Sequence, residues 1–170
     1  MSGKIFVTQE HFQNMQNRIM ENEKRLEEVR AGKADAYQGD TNAWHDNFDY
    51  ENLTRIEKMV EKELFDLAQD VANCVICKNT ECDKPETVGL WTLVKISEAN
   101  VKTQEEREKT IGIVPIGGEN LKKNICNYNA PVIAQLMGAG IGDIKRIKIP
   151  LGEFKIKILE IQKISFADIT

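Results

Sequence analysis

Residues 129–164 read NAPVIAQLMGAGIGDIKRIKIPLGEFKIKILEIQKI. Pro131 has the fixed φ of a first helical position, and the short helix it opens stops at Gly138. Asp143–Ile149 then reads as a strand, and PLGE, starting at Pro150, has the composition of a hairpin turn. In Glu153–Ile164, Phe154, Ile156 and Ile158 alternate with Lys155 and Lys157, the mark of a half-exposed strand. Past a slip, Ile161 and Ile164 continue the apolar side. Further upstream, Val88–Ile96 and Thr110–Pro115 are β-rich runs. Together they predict a small β-rich domain with one short helix.

Toward the N-terminus the texture changes near residue 73. Thr8, a residue type suited to an N-cap, precedes apolar residues at Phe12, Met15, Ile19, Leu26 and Val29, spaced as a heptad with Asn22 at the missing core position. Tyr50, Leu53, Ile56, Val60, Leu64, Leu67 and Val71 repeat the pattern. Both stripes are narrow and flanked by Glu and Lys, so two helices should bury one seam against each other, with Leu26 and Leu64 in it. Asn22 is most simply a register device. The fold class expected is α+β: an antiparallel coiled-coil hairpin over residues 1–73, then a β-rich domain over 74–170.

Between the helices lies QGDTNAWHDNFDYE, residues 38–51, with four acidic side chains; no Lys or Arg occurs from Ala34 to Thr54. A helix–helix connection needs only a few residues, often with Gly. This one is longer and concentrates charge that repels itself. A spacer explains it blandly; a probe that delivers its tip to a distant site explains it better.

The formal net charge of −4 divides unevenly, −6 over residues 1–73 and +2 over 74–170. Neither half is basic enough for autonomous DNA binding to be expected. No apolar run approaches the roughly 20 residues that span a bilayer, and the N-terminus lacks a signal-peptide core. With four cysteines and no secretory signal, reduced thiols in a cytoplasm are expected. There is no nucleophilic triad, phosphate-binding loop or cofactor fingerprint.

NAPVIAQLMGAGIGD, PLGE and the terminal strand resemble the C-terminal domain of Gre-type (GreA/GreB) bacterial transcription elongation factors. That pattern has a Ser/Asn-x-Pro helix start, a Leu-x-Gly helix end, a Gly-Asp strand start and a Pro-x-Gly hairpin. The helix start at Thr8, the hairpin, Gly39-Asp40 and NFDY from Asn47 to Tyr50 match in order, so the resemblance covers nearly the whole chain. It implies a coiled-coil hairpin with an acidic tip at about 35–49 and an FKBP-like C-terminal domain. It further implies a cytoplasmic, monomeric factor that is not itself an enzyme and has no membrane association. The globular domain of such factors docks on bacterial RNA polymerase at the rim of the secondary channel, and the hairpin enters. Tip acids then help the polymerase hydrolyse the 3′ end of backtracked RNA, with no cofactor beyond the Mg²⁺ of the polymerase site.

The family loop runs Gly-Asp-x-x-Glu-Asn-x-x-Tyr. Counted forward from Gly39-Asp40, its Glu falls on Ala43; counted back from Asn47 and Tyr50, it falls on Asp46. Three extra residues within Thr41–His45 separate the two counts. Asp40 and Asp46 are therefore the expected tip acids and Mg²⁺ ligands, provided the loop folds them together. Trp44, His45, Asn47 and Asp49 are the expected tip contacts. Trp44 can stack on a base or pack on its own hairpin; His45 can act as a base or be held by Asp46. Family members with altered acidic tips inhibit polymerase, which makes inhibition the alternative to cleavage. An FKBP-like adaptor with a coiled-coil arm is the alternative of another class.

Other signals are weaker. Asp40, Asn42 and Glu51 fall at calcium-loop positions 1, 3 and 12, but His45 stands where that loop needs Gly. Cys74, Cys77, Cys82 and Cys126 read as buried small hydrophobes in preference to a zinc set, since Cys74 and Cys77 in one strand would face opposite ways. Arg18, Lys24, Arg25, Arg30, Arg55 and Lys58 offer phosphate contacts along the hairpin or, more simply, a solvated face.

Overall fold

Helix α1 begins at Gln9, directly after Thr8, and runs to Gly39; α2 spans Phe48–Asn73. The computed structural model describes residues 3–39, 48–79, 85–150 and 152–164. At ~1.5 Å per residue the helices are about 46 and 39 Å long. Met15, Asn22 and Val29 are buried on α1, and Val60 and Leu67 on α2. Phe12, Ile19, Leu26, Ile56, Leu64 and Val71 lie half-buried beside them. Arg18 meets Glu63, Arg30 meets Glu57 and Glu61, and Lys33 meets Glu57. Numbers that rise along α1 fall along α2, so the helices are antiparallel. Asn22 has its hydrogen-bond partner across the seam in Glu63. A buried amide with one partner on the facing helix favours a single register.

Both helices extend further into the connection than the apolar pattern indicates. Residues 35–39 are helical, as are Phe48 and Asp49. The expected tip over 35–49 thus includes the ends of both helices.

The chain divides into two compact units, one of Met1–Ile5 with Glu10–Val75, the other of Phe6–Gln9 with Ile76–Thr170. Strands β1 (Ile5–Val7) and β2 (Cys74–Ile76) form a two-stranded sheet. A five-stranded sheet, ordered β5-β4-β3-β7-β6, fills the second unit. It comprises β3 (Thr92–Asn100), β4 (Glu106–Val114), β5 (Ile125–Asn127), β6 (Ile144–Ile149) and β7 (Gly152–Lys163). Only the β4–β5 pair is parallel. Helix α3 (Pro131–Leu136) packs Ile133 and Leu136 against Val94, Ile96, Ile113, Ile147, Ile156 and Ile158. The class is α+β, as the hydrophobic periods predict.

The slip in the last strand is a β-bulge. Lys95 faces Glu160 and Ile96 faces Ile158, which leaves Leu159 as the extra residue and returns Ile161 to the core side. Gly138 ends the α3 turn with φ +78°, a conformation that a side chain would strain.

Two strand expectations need correction. β3 starts at Thr92, not Val88, because Val88 bonds through its backbone to Gly138 and Ala139. The intervening turn is held by the Thr92 hydroxyl, which donates to the Gly89 carbonyl at 2.7 Å. β4 starts at Glu106, not Thr110. Its first residues, Glu106–Lys109, are all charged and show no alternation. They are held in the sheet by pairing with β3, where buried Glu98 takes both Arg107 and Lys109 at 3.1 and 2.8 Å. Burial pushes the Glu98 carboxyl up, but the two cations outweigh it and leave the group below its usual range.

Candidate functional site

The end of the helical unit is built from the last turns of α1 and the first of α2. Lys33 Nζ lies 2.7 Å from one oxygen of Glu57, while Arg30 Nε reaches the other at 2.9 Å. Arg30 also donates to Glu61 at 2.7 Å. Lys33 and Arg30 hold the Glu57 carboxyl below its ordinary range, and Glu57 in turn raises both cations. Beyond this clasp, Lys33 sits 5.2 Å from the Tyr50 ring centre, and the Tyr37 and Tyr50 rings lie 6.1 Å apart. The clasp thus ties the two helices together a few residues before the acidic connection begins.

Asp49 and Glu51 lie exposed in the first turn of α2, where the helix dipole favours negative charge. Asp40, Trp44, His45, Asp46 and Asn47 lie outside the described residues. The chain order still brackets them: Asp40 follows the last residue of α1, and Asp46 stands two before the first of α2.

Phe48 and Tyr37 are exposed large aromatics at these two helix ends, 76% and 75% accessible. Sequence reasoning gave neither a role; the signal was that Tyr37 falls after the last apolar heptad position of α1. The clasp of Arg30, Lys33, Glu57 and Glu61 was missed as well, because pairing across two helices has no local signature. Arg18 and Arg30, read above as phosphate contacts or solvated charges, are instead engaged with Glu63, Glu57 and Glu61.

Among the described residues no group of three or more His, Cys, Asp or Glu side chains is placed to hold a metal ion. Cys74, Cys77 and Cys126 are free thiols, each raised by burial away from the reactive thiolate. Cys82 lies outside the described residues. No described helix is long and apolar enough to cross a membrane.

Residues 83–163, which hold the five-stranded sheet and α3, match the family model described as the C-terminal domain of the transcription elongation factors GreA/GreB. The β-rich unit is thus similar to the C-terminal domain of the GreA/GreB factors. Likeness to GreA extends over the helical unit too: the transcription elongation factor GreA of Chlorobium phaeobacteroides is 24% identical over 95% of this chain and 98% of its own length. GreA of Thermosipho africanus is 36% identical over 44% of each chain. Among solved structures, Gfh1 of Thermus aquaticus aligns over 95% of this chain and 99% of its own, with 17% identity and a TM-score of 0.42. The GreA/GreB domain match, over residues 83–163, does not reach the acidic connection at 38–51.

Proposed function

We propose that this chain is a transcription elongation factor that binds bacterial RNA polymerase through the secondary channel and stimulates the polymerase's own cleavage of backtracked RNA. The observation that carries this reading is the acidic connection between two clasped helices, on a chain whose second unit is similar to the GreA/GreB C-terminal domain. From Ala34 to Thr54 the sequence holds no Lys or Arg, and every described ion pair of the helical unit lies outside that span. A connection left with uncompensated negative charge is suited to meet a cation from elsewhere.

Asp40 and Asp46 would hold a Mg²⁺ ion shared with the polymerase, since Mg²⁺ commonly takes only one or two protein carboxylates. Such an ion would supply the activation of water, beside a second ion that stabilises the leaving oxygen of the RNA. The chain itself supplies charge and position. It carries no complete catalytic apparatus in this reading and acts as a single copy in the cytoplasm, where bacterial polymerase works. The clasp holds α1 and α2 in register, so the separation of the segments on either side of residues 40–47 is set before the partner is met.

The three extra residues within Thr41–His45 favour a second reading, in which the enlarged connection occupies the channel and slows polymerase without cleavage. One experiment separates the readings. Full-length protein is tested for retention on core polymerase at physiological salt, then added to stalled complexes. Retention with shortening of the RNA supports the cleavage factor. Retention with slowed nucleotide addition and no shortening makes the chain an inhibitor. No retention rejects both and leaves the adaptor module.

A further inference from the structure

The β6–β7 hairpin concentrates positive charge on one side of the sheet. Arg146 stands opposite Lys155, Lys148 opposite Glu153, and Lys157 opposite Ile144. Directly opposed residues share a face, and alternate residues along a strand do too. Ile147, Phe154 and Ile156 take the core side, so Arg146, Lys148, Lys155 and Lys157 all project from the outer face, where each is exposed. None of the four side chains has an ion pair or hydrogen bond among the described residues.

Three other cations of this unit are paired. Lys95 holds Glu108 at 2.7 Å, and Arg107 and Lys109 hold Glu98. The acids nearest the patch do not discharge it: Glu153 sits at the hairpin end without an ion pair, Glu160 lies beyond the bulge, and Glu106 takes the Ser97 hydroxyl. Opposing Arg146 to Lys155 also costs stability, because like charges facing each other across strands repel. Protecting an edge strand from further pairing explains charges on β6. It does not explain Lys155 and Lys157, because β7 is already covered by β3 and β6.

The four cations occupy three successive rungs, a stripe of roughly 14 Å at about 3.4 Å per strand residue. One strand of duplex DNA presents about four phosphates over that length, at ~3.4 Å of axis each. No aromatic side chain stands in the described outer face of β6 and β7 to stack on an unpaired base. We propose that the outer face of the β6–β7 hairpin docks on the phosphate backbone of duplex DNA. The net charge of +2 over residues 74–170 conceals the site because all but Glu153 of the acids in that half lie off the hairpin's patch. The choice of DNA rests on the GreA/GreB likeness of this unit; it does not rest on the channel reading above.

The test is fluorescence anisotropy of a labelled 20-base-pair duplex titrated with the full chain, without polymerase, across a series of salt concentrations. Four phosphate contacts predict a logarithmic salt slope of about −3.6, or roughly a hundredfold loss of affinity between 50 and 200 mM. K155Q/K157Q and, separately, R146Q/K148Q should each remove about half of that slope. K122Q/K123Q, the same charge change on the exposed turn at Leu121–Lys123, should leave it unchanged. Two pairs keep the answer available if one variant fails to fold, which a thermal melt shows. Absence of wild-type binding at 50 mM salt overturns the proposal, as does an equal loss in K122Q/K123Q. Tighter binding of an unpaired strand overturns it in favour of base stacking, and tighter binding of a poly-glutamate peptide in favour of an acidic protein surface. Because polymerase is absent, failure here leaves the channel reading standing, and the reverse.

Discussion

Asp49 differs from Asp40 and Asp46 in what already compensates its charge. It stands in the first turn of α2, where backbone N–H groups favour a carboxylate by about 0.3–1 kcal/mol. Asp40 follows the last residue of α1 in the chain. On the cleavage reading, Asp40→Asn and Asp46→Asn keep volume and remove charge, so RNA shortening on stalled complexes should fall ~10²-fold or more. Retention on polymerase should change little. Asp49→Asn should cost helix stability of the order given above and leave most of the cleavage. Equal defects in all three would mean that summed charge matters and individual placement does not. At this scale the sequence was informative about composition and silent about partners. Asn22 was legible because it interrupts a heptad. Arg30 was not, because only the antiparallel register brings Glu57 and Glu61 to it.

The elements show which signals carry and which do not. Long helices were legible from their apolar spacing, and the bulge from the single slip at Leu159. Strand ends were not: Glu106–Lys109 is held in the sheet by pairing with β3, and Val88 is drawn out of β3 by Gly138 and Ala139. Three-residue strands such as β1 and β5 are too short to show a period. The bulge permits a sharp comparison. Deleting Leu159 leaves Ile156, Ile158 and Ile161 on one face by straightening the strand, so the protein should still fold. Deleting Lys157 reverses the facing of Phe154 and Ile156 and should abolish the cooperative unfolding of the sheet. The α1–α2 seam makes a prediction in pH. Glu57 and Glu63 sit below their ordinary value of 4.5, held there by Lys33 and Arg30 and by Arg18 and Asn22. A lowered carboxyl stabilises the folded state above its unfolded value, and that contribution is lost as pH falls through the folded one. Helix melting followed by circular dichroism should therefore be flat from neutrality to about pH 5 and decline below it. Glu57→Gln should weaken the decline.

Across the whole molecule, the two units are not two consecutive stretches of chain. Phe6–Gln9 belong to the β-rich unit, although both long helices intervene before it resumes at Ile76. Ile116 donates its N–H to the Phe6 carbonyl, and Thr8 returns one to Ile116, both at 3.0 Å. The Phe6 N–H reaches the Tyr128 hydroxyl at 3.0 Å, and Val7 is fully buried. Removing two methyls with Val7→Ala should cost the β-rich unit about 1.5–3 kcal/mol. The readout is faster hydrogen exchange at Ile96 and Ile113 with unchanged exchange at Val29 and Val60. The same threading gives biosynthesis an order. The ribosome releases Phe6 and Val7 before Ile116 and Tyr128, which emerge only after both helices and two central strands. Through the synthesis of both helices that apolar segment waits without its native neighbours, and a later-made sheet is closed by residues made well before it.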